Sequence, residues 1–217
     1  MKWLIVGAHL QREDVEPLAA AIAAGDLFLS GVEVADDQPL GDRDLLLRVA
    51  RMRAALLDRA TFVAIRYGFT VYGENDALAK CGAHLQRWRP LLEEHRQDVE
   101  MTLKVAADEP RARPDRREFA SGAAYLRALH ESVTAAAVSD EFRLAAEATM
   151  GGTQRRWTHR DAKSLELVTL VPRTDVARVQ LGAQQLKRDF PDVPFLVSGP
   201  WPLEVFATEG DGGEPSS

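Results

Sequence analysis

Phe195-Leu196-Val197-Ser198-Gly199-Pro200-Trp201-Pro202-Leu203-Glu204-Val205-Phe206 is the stretch on which the reading of the fold turns. An apolar run enters it, Ser-Gly-Pro interrupts it, and a second apolar run leaves it. Pro200 and Pro202 lock their own φ angles and remove two backbone donors. The residues ahead of them, Gly199 and Trp201, are pushed toward extended backbone. The sequence therefore predicts a stiff, extended link between the last two strands of a C-terminal α+β domain, with an indole held between two prolines. That indole either packs inward or is offered to a partner, and the usual burial of tryptophan favours the inward position.

Working back from there, Pro191-Asp192-Val193-Pro194 is a turn, and Val176, Val179, Ala183, Leu186 and Phe190 recur at helical spacing. Thr174 or Asp175 caps that helix. Leu165 to Val171 reads as a strand, Thr153 to Asp161 as a polar loop. Phe119 to Met150 reads as a helical hairpin. Tyr125, Leu129 and Val133 form its inner stripe, Ser139 or Asp140 caps its second helix, and Gly151-Gly152 ends it. Asp108 to Arg117, with Pro110, Pro114 and four arginines, is an exposed linker.

The N-terminal half alternates. Trp3 to Gly7 has strand length, and Glu13 to Ala24 reads as a helix with Asp14 as cap, Pro17 in its first turn and Gly25 as its stop. Leu27 to Ala35 is a strand around Gly31. Asp42 to Arg59 is a helix with Leu45, Val49, Met52 and Leu56 on its inner face. Thr61 to Tyr67 is a strand, and Glu74 to Trp88 a helix that Pro90 kinks or ends. Asp98 to Ala106 alternates, with Val99, Met101, Leu103 and Val105 on one face and Glu100, Thr102 and Lys104 on a wet one. The expected fold class is α+β: a ferredoxin-like domain over 1–107, a linker over 108–117, a second, smaller α+β domain with its helical hairpin over 118–207, and a disordered tail over 208–217.

Bulk composition excludes more than it selects. A chain of 217 residues with 46% hydrophobic and 28% charged residues has enough apolar surface for a core without staples. Its net charge of -6 argues against a nucleic-acid backbone as the main partner. The single cysteine, Cys81, forms no intramolecular disulfide, which fits a reducing compartment, and reads as a small buried hydrophobe. Trp3 to Val6 is too short for a secretory segment, and no run approaches the roughly 20 apolar residues of a membrane span.

The titratable residues form no reactive set. His84 and His95 fall on one helical face but about 16 Å apart along the axis, too far to share an ion. Gly151-Gly152-Thr153-Gln154-Arg155-Arg156 lacks the ending of a phosphate-binding loop. Arg155-Arg156-Trp157-Thr158-His159-Arg160 mixes basic and aromatic residues as a single-strand binder does, but on an acidic protein it reads better as a solvated loop with Trp157 tucked inward. No catalytic, metal or cofactor-binding residue is assigned.

Three stretches together carry a resemblance. They are Phe62-Val63-Ala64-Ile65-Arg66-Tyr67-Gly68 followed by a helix from Glu74, then Val99-Glu100-Met101-Thr102-Leu103-Lys104-Val105, then Ser198-Gly199-Pro200-Trp201-Pro202 with Phe206 behind it. In this order and spacing the chain resembles the gas vesicle protein F/L family (GvpF/GvpL), over roughly residues 1 to 207. It departs from that family's pattern at Ala64-Ile65, around Arg51 and at Pro202-Leu203-Glu204, as a diverged member does. The resemblance implies a non-enzymatic accessory protein of the cytoplasm or the gas vesicle, with no cofactor. Such a protein binds the small apolar shell protein, works beside other gas vesicle accessory proteins, and assists assembly. Arg66, Tyr67, Gly68, Ser198, Gly199, Pro200, Trp201, Pro202 and Phe206 are the motif residues it marks for partner binding. Two other readings stand beside it: a small-molecule-binding or catalytic ferredoxin-like protein, which predicts clustered titratable groups in a cleft, and a nucleic-acid module, which predicts a continuous basic face.

Overall fold

The computed structural model describes residues 2–106, 115–126, 138–161 and 164–208. The chain forms two units. One comprises residues 1–99 together with the chain from Trp201 onward, and the other residues 100–200. The division thus falls at Val99/Glu100 and Pro200/Trp201, ahead of the Asp108 to Arg117 stretch, of which 107–114 lie outside the described residues.

The first unit is built on an antiparallel sheet. β1 (Lys2–His9) lies between β3 (Leu27–Val34) and β4 (Val63–Ala64), β2 (Ala20–Ala24) adds outside β3, and β5 (Thr70–Val71) also pairs with β1. The register of β1 on β3 shifts between Ile5 and Gly7, a bulge beside Gly31. Helix α1 (Arg43–Arg59) starts at Asp42, whose carboxylate accepts from the Leu45 N–H at 2.9 Å. It buries Leu45, Val49, Leu56 and Leu57. Helix α2 (Glu74–Glu94) buries Ala77, Cys81, Trp88 and Leu92.

Two expectations fail here. The helix over Glu13 to Ala24 is absent. Its place is taken by a 3-10 turn at Arg12–Asp14 and by strand β2. Alanine favours helix intrinsically, but pairing with β3 and burial of Ile22 and Ala24 override that weak preference. Gly25-Asp26 is a two-residue hairpin connection, with Gly25 at φ 61°, where a side chain is strained. The element order becomes β-β-β-α-β-β-α, which is not the alternating order expected of a ferredoxin-like domain. The second is the end of α2. The helix does not stop at Trp88 but runs through Pro90 to Glu94; Pro90 and Gln86, whose carbonyl loses its partner, are both exposed to water, while Trp88 and Leu92 are buried on either side.

The second unit carries a four-stranded sheet in the order β7-β8-β6-β9. Its strands are β6 (Asp98–Ala106), β7 (Gln154–Asp161), β8 (Ser164–Pro172) and β9 (Phe195–Trp201). Two helices accompany it, α3 (Asp140–Met150), capped by Ser139 on the Phe142 N–H at 3.2 Å, and α4 (Val176–Asp189). Met101, Leu103, Val105, Phe142, Met150, Leu167 and Val179 form the centre of one apolar core. Phe190 meets Phe142 edge-on at 5.2 Å between centroids. Glu100, expected in water, is 2% exposed, while Lys104 stays outside and pairs with Glu166 at 3.4 Å.

Thr153 to Asp161 is no loop: from Gln154 it is an edge strand, antiparallel to β8. Polar side chains hid it, yet charged residues are what an edge strand needs to resist pairing with other chains. The proposed stripe residues Leu129 and Val133, and the tail from Glu209, lie outside the described residues.

Candidate functional site

The opening stretch is divided between the two units. Ser198, Gly199 and Pro200 belong to the second, as part of β9 itself and not of a link between strands. Gly199 has φ 120°, and a Cβ there would stand 2.8 Å from the Met101 sulfur and 2.9 Å from the Glu100 carbonyl oxygen. β9 therefore lies too close to β6 for any side chain at this position. The Gly199-Pro200 peptide is cis.

From Trp201 the chain belongs to the first unit. Pro202 and Leu203 are buried. The Leu203 N–H donates to the Phe62 carbonyl at 2.9 Å, and its own carbonyl accepts from the Ala64 N–H at 2.8 Å. Leu203 thus forms a parallel bridge with Val63 on the outer side of β4. Phe206 is 8% exposed, and the Ala207 carbonyl accepts from the Arg87 guanidinium. Backbone on both sides of the indole is thereby fixed, yet Trp201 itself is 47% exposed. The inward position favoured by tryptophan's average burial does not hold here.

The Arg66-Tyr67-Gly68 turn follows β4 at its other end. Arg66 and Gly68 are exposed, and the Phe69 N–H closes the turn on the Arg66 carbonyl at 3.3 Å. The sequence predicts a strand that reaches from Thr61 to Tyr67. The ladder stops earlier, and Tyr67 lies in the turn at 37% exposure, its hydroxyl donating to the Leu40 carbonyl. Burial of the phenol, then the nearby Asp42 carboxylate, hold its pKa above the usual tyrosine value. In the parallel register Trp201 stands level with Thr61, so Trp201 and Tyr67 flank opposite ends of β4. Of the aromatic motif residues, Tyr67 and Trp201 are exposed and Phe206 is buried.

The basic-aromatic stretch on β7 resolves as structure. Trp157 packs against the second unit's core, its Nε1 donates to Glu147 at 2.8 Å, and the Arg143 guanidinium lies over its ring at 5.2 Å. Its face is thereby occupied from within the protein.

Sequence reading missed His9. Its ring is fully buried, stacked on Phe62 at 4.9 Å. Ser30 Oγ donates to the Gly7 carbonyl at 3.3 Å, so it accepts from His9 Nε2 at 3.0 Å, and the proton sits on Nε2. Nδ1 has no partner. Burial lowers its pKa to about 3, so the ring is neutral in ordinary solution. The available signal was its place at the end of an otherwise apolar strand. His95 Nδ1 meets Asp98 at 2.8 Å, also buried. Burial pushes the Cys81 thiol up to about 11, which leaves it protonated and unreactive. Among the described residues no group of three His, Cys, Asp or Glu is placed to hold a metal ion. Among them, too, no helix is long and apolar enough to cross a membrane.

A family model described as gas vesicle synthesis protein GvpL/GvpF matches residues 14–207. Comparison with curated proteins returned no match. Among solved structures the fold is similar to that of the gas vesicle protein GvpF from Anabaena sp. PCC7120, at 12% identity and TM-score 0.62 over 95% of this chain and 98% of that one. It is also similar to that of GvpF from Microcystis aeruginosa, at 10% identity and TM-score 0.69 over the same shares. With the family match spanning nearly the whole described chain, from the turn before β2 to the residues that close on β4, this protein belongs to the gas vesicle synthesis protein GvpL/GvpF family.

Proposed function

We propose that the protein is a non-enzymatic accessory factor of gas vesicle formation, acting in the cytoplasm or at the vesicle, that binds the apolar shell protein and assists its assembly. Family membership supports the gas vesicle role. The observation that carries the binding role is the half-exposed indole of Trp201 on backbone fixed by Leu203. A large rigid aromatic whose neighbours are already ordered loses little entropy on docking, and such residues dominate binding energy at interfaces. Other gas vesicle accessory proteins are the second class of partner.

Co-expression with the shell protein, followed by affinity recovery, tests this. Trp201→Ala, checked for an unchanged circular dichroism spectrum, is expected to recover at least fivefold less shell protein than wild type. Equal recovery removes Trp201 from the interface, and no recovery by wild type removes the shell-binding function.

A further inference from the structure

The edges of the two sheets differ in what guards them. β4 is closed by Leu203. β7 carries Arg155 and Arg156, so a strand laid against it meets charge. β2 is alanine around the buried Ile22, with no large exposed side chain to cover. β9 has neither kind of guard. Phe195-Leu196-Val197-Ser198-Gly199-Pro200-Trp201 holds no charged residue, and Leu196 is 66% exposed. Among the described residues β6 borders β9 on one side and no strand borders it on the other. The Ala106 N–H donates to the Pro194 carbonyl at 3.1 Å, and a Cβ on Gly199 would stand 3.3 Å from the Met101 Cα. β9 therefore runs antiparallel to β6, with Ala106 opposite Pro194 and Lys104 opposite Leu196. Along an antiparallel pair, residues that exchange backbone bonds alternate with residues that do not. Pro194 and Leu196 are of the first kind, so the N–H and C=O groups of Phe195 and Val197 point away from β6. The side chains of Phe195 and Val197 pack on the unit's core, and that of Leu196 lies on the opposite face.

We propose that this edge of β9 pairs antiparallel with β9 of a second copy of the chain, about a two-fold axis at Leu196. Phe195 then exchanges backbone bonds with Val197 of the second copy, and Val197 with its Phe195. The two Leu196 residues stand directly opposite in the close, non-bonded position, where Cα atoms are about 4.5 Å apart, and their side chains cover each other from water. The strand is complementary to itself in both respects: the outward bonding groups meet the same groups reversed, and its exposed leucine meets a leucine. Charge permits the pairing. No charged residue of β9 is set against its own copy, and the exposed Asp192 precedes the strand. Lys104, beside Leu196, is held by Glu166 at 3.4 Å. The same operation on β7 sets arginines against arginines, which opposes pairing. The net charge of -6 on each copy acts at longer range and is screened by salt. So short an edge makes a weak dimer that forms and dissociates with concentration. The proposal does not depend on the gas vesicle reading.

Sedimentation velocity of the full chain tests this, with concentration raised to about 100 μM, where small interfaces assemble. Wild type is expected to approach twice the chain mass of 24.0 kDa. Leu196→Lys changes an exposed position and sets two ammonium groups face to face. It is expected to weaken the dimer at least tenfold, with the circular dichroism spectrum of the dilute protein unchanged. Leu196→Cys is expected to give a disulfide-linked dimer under mild oxidation, because Cα atoms opposed in that position lie within disulfide reach. The native Cys81 is buried and does not compete. Leu144→Cys and Leu181→Cys, at positions 69% and 65% exposed on α3 and α4, are the controls and are expected to stay unlinked. Wild type that remains monomeric throughout overturns the proposal. So does a dimer that Leu196→Lys leaves intact, a wild-type dimer that Leu196→Cys fails to link, or equal linking at all three cysteine positions. Monomeric wild type whose recovery of co-expressed shell protein is lost in Leu196→Lys assigns the edge to a strand of the shell protein, and likewise overturns pairing between copies.

Discussion

Trp157 and Trp201 both sit beside charged or proline-rich sequence at the margin of a sheet, and they end in opposite settings. Trp157, on β7, has its indole N–H on Glu147, an arginine over its ring and the second unit's core beneath it. Trp201, at the end of β9, stands 47% exposed on backbone anchored by Leu203. The difference lies in neighbours from distant parts of the chain. α3 supplies both Glu147 and Arg143 to the first indole, while the second keeps nearly half of its surface in water. The elements that pack against a tryptophan, more than its local sequence, thus decide how much of its face meets water.

The sharpest way to break this comparison is to disturb the approach to Trp201. Gly199→Val puts atoms against the Met101 sulfur and the Glu100 carbonyl at φ 120°. It is expected to cost about 3 kcal/mol or more in urea unfolding. A cost near zero would mean that β9 is not closely packed there. Next comes Trp157→Ala, which removes packing, a hydrogen bond and a cation–π contact together, for roughly 2–4 kcal/mol. An unaltered melting temperature would place Trp157 in the same class as Trp201.

A fully buried ring gives the inward limit. His9, with its pKa near 3 when folded against about 6.5 when unfolded, takes up a proton only on unfolding between those values. Its contribution is complete above pH 6.5 and is lost as pH falls toward 3. From pH 6.5 to pH 5 stability should drop by about 2 kcal/mol more in wild type than in His9→Gln, read from urea midpoints at each pH. Parallel curves for the two proteins would show that His9 is solvated. The smallest stability effect belongs to Trp201→Ala, at about 1 kcal/mol or less, because half of its surface already meets water. A loss as large as that of Trp157→Ala would make Trp201 a core residue and erase the contrast.

Where periodicity was strong, the sequence was legible. α1, α4, β6 and β8 carry apolar residues at helical or alternating spacing, and each formed near its expected bounds. β2 was illegible because alanine serves strand and helix alike, and its decision rests on β3, with Gly25-Asp26 as the local clue that went unused. β7 was illegible because an edge strand is recognised by its pairing and not by its own polarity. For the site, the prolines pointed to a link between strands, whereas Pro200 and Trp201 lie within β9 itself. β4 itself is bordered by β1 on one side and by Leu203, 140 residues later in the chain, on the other, and the strand ends before Tyr67. No window of local sequence holds that information.

The bridge between Val63 and Leu203 also has a consequence in time. Polypeptides leave the ribosome N-terminus first, and units tend to fold as they emerge. Here the first unit begins with β1 and closes on β4 with a residue made about a hundred positions after Val99, once the entire second unit has been synthesised. A nascent chain halted near residue 200 therefore presents an unfinished sheet border at Val63–Ala64, and the Arg87 guanidinium still lacks the Ala207 carbonyl. Completion of the oldest part of the molecule waits on some of its youngest residues, which makes translation through Ala207 a checkpoint for the native state.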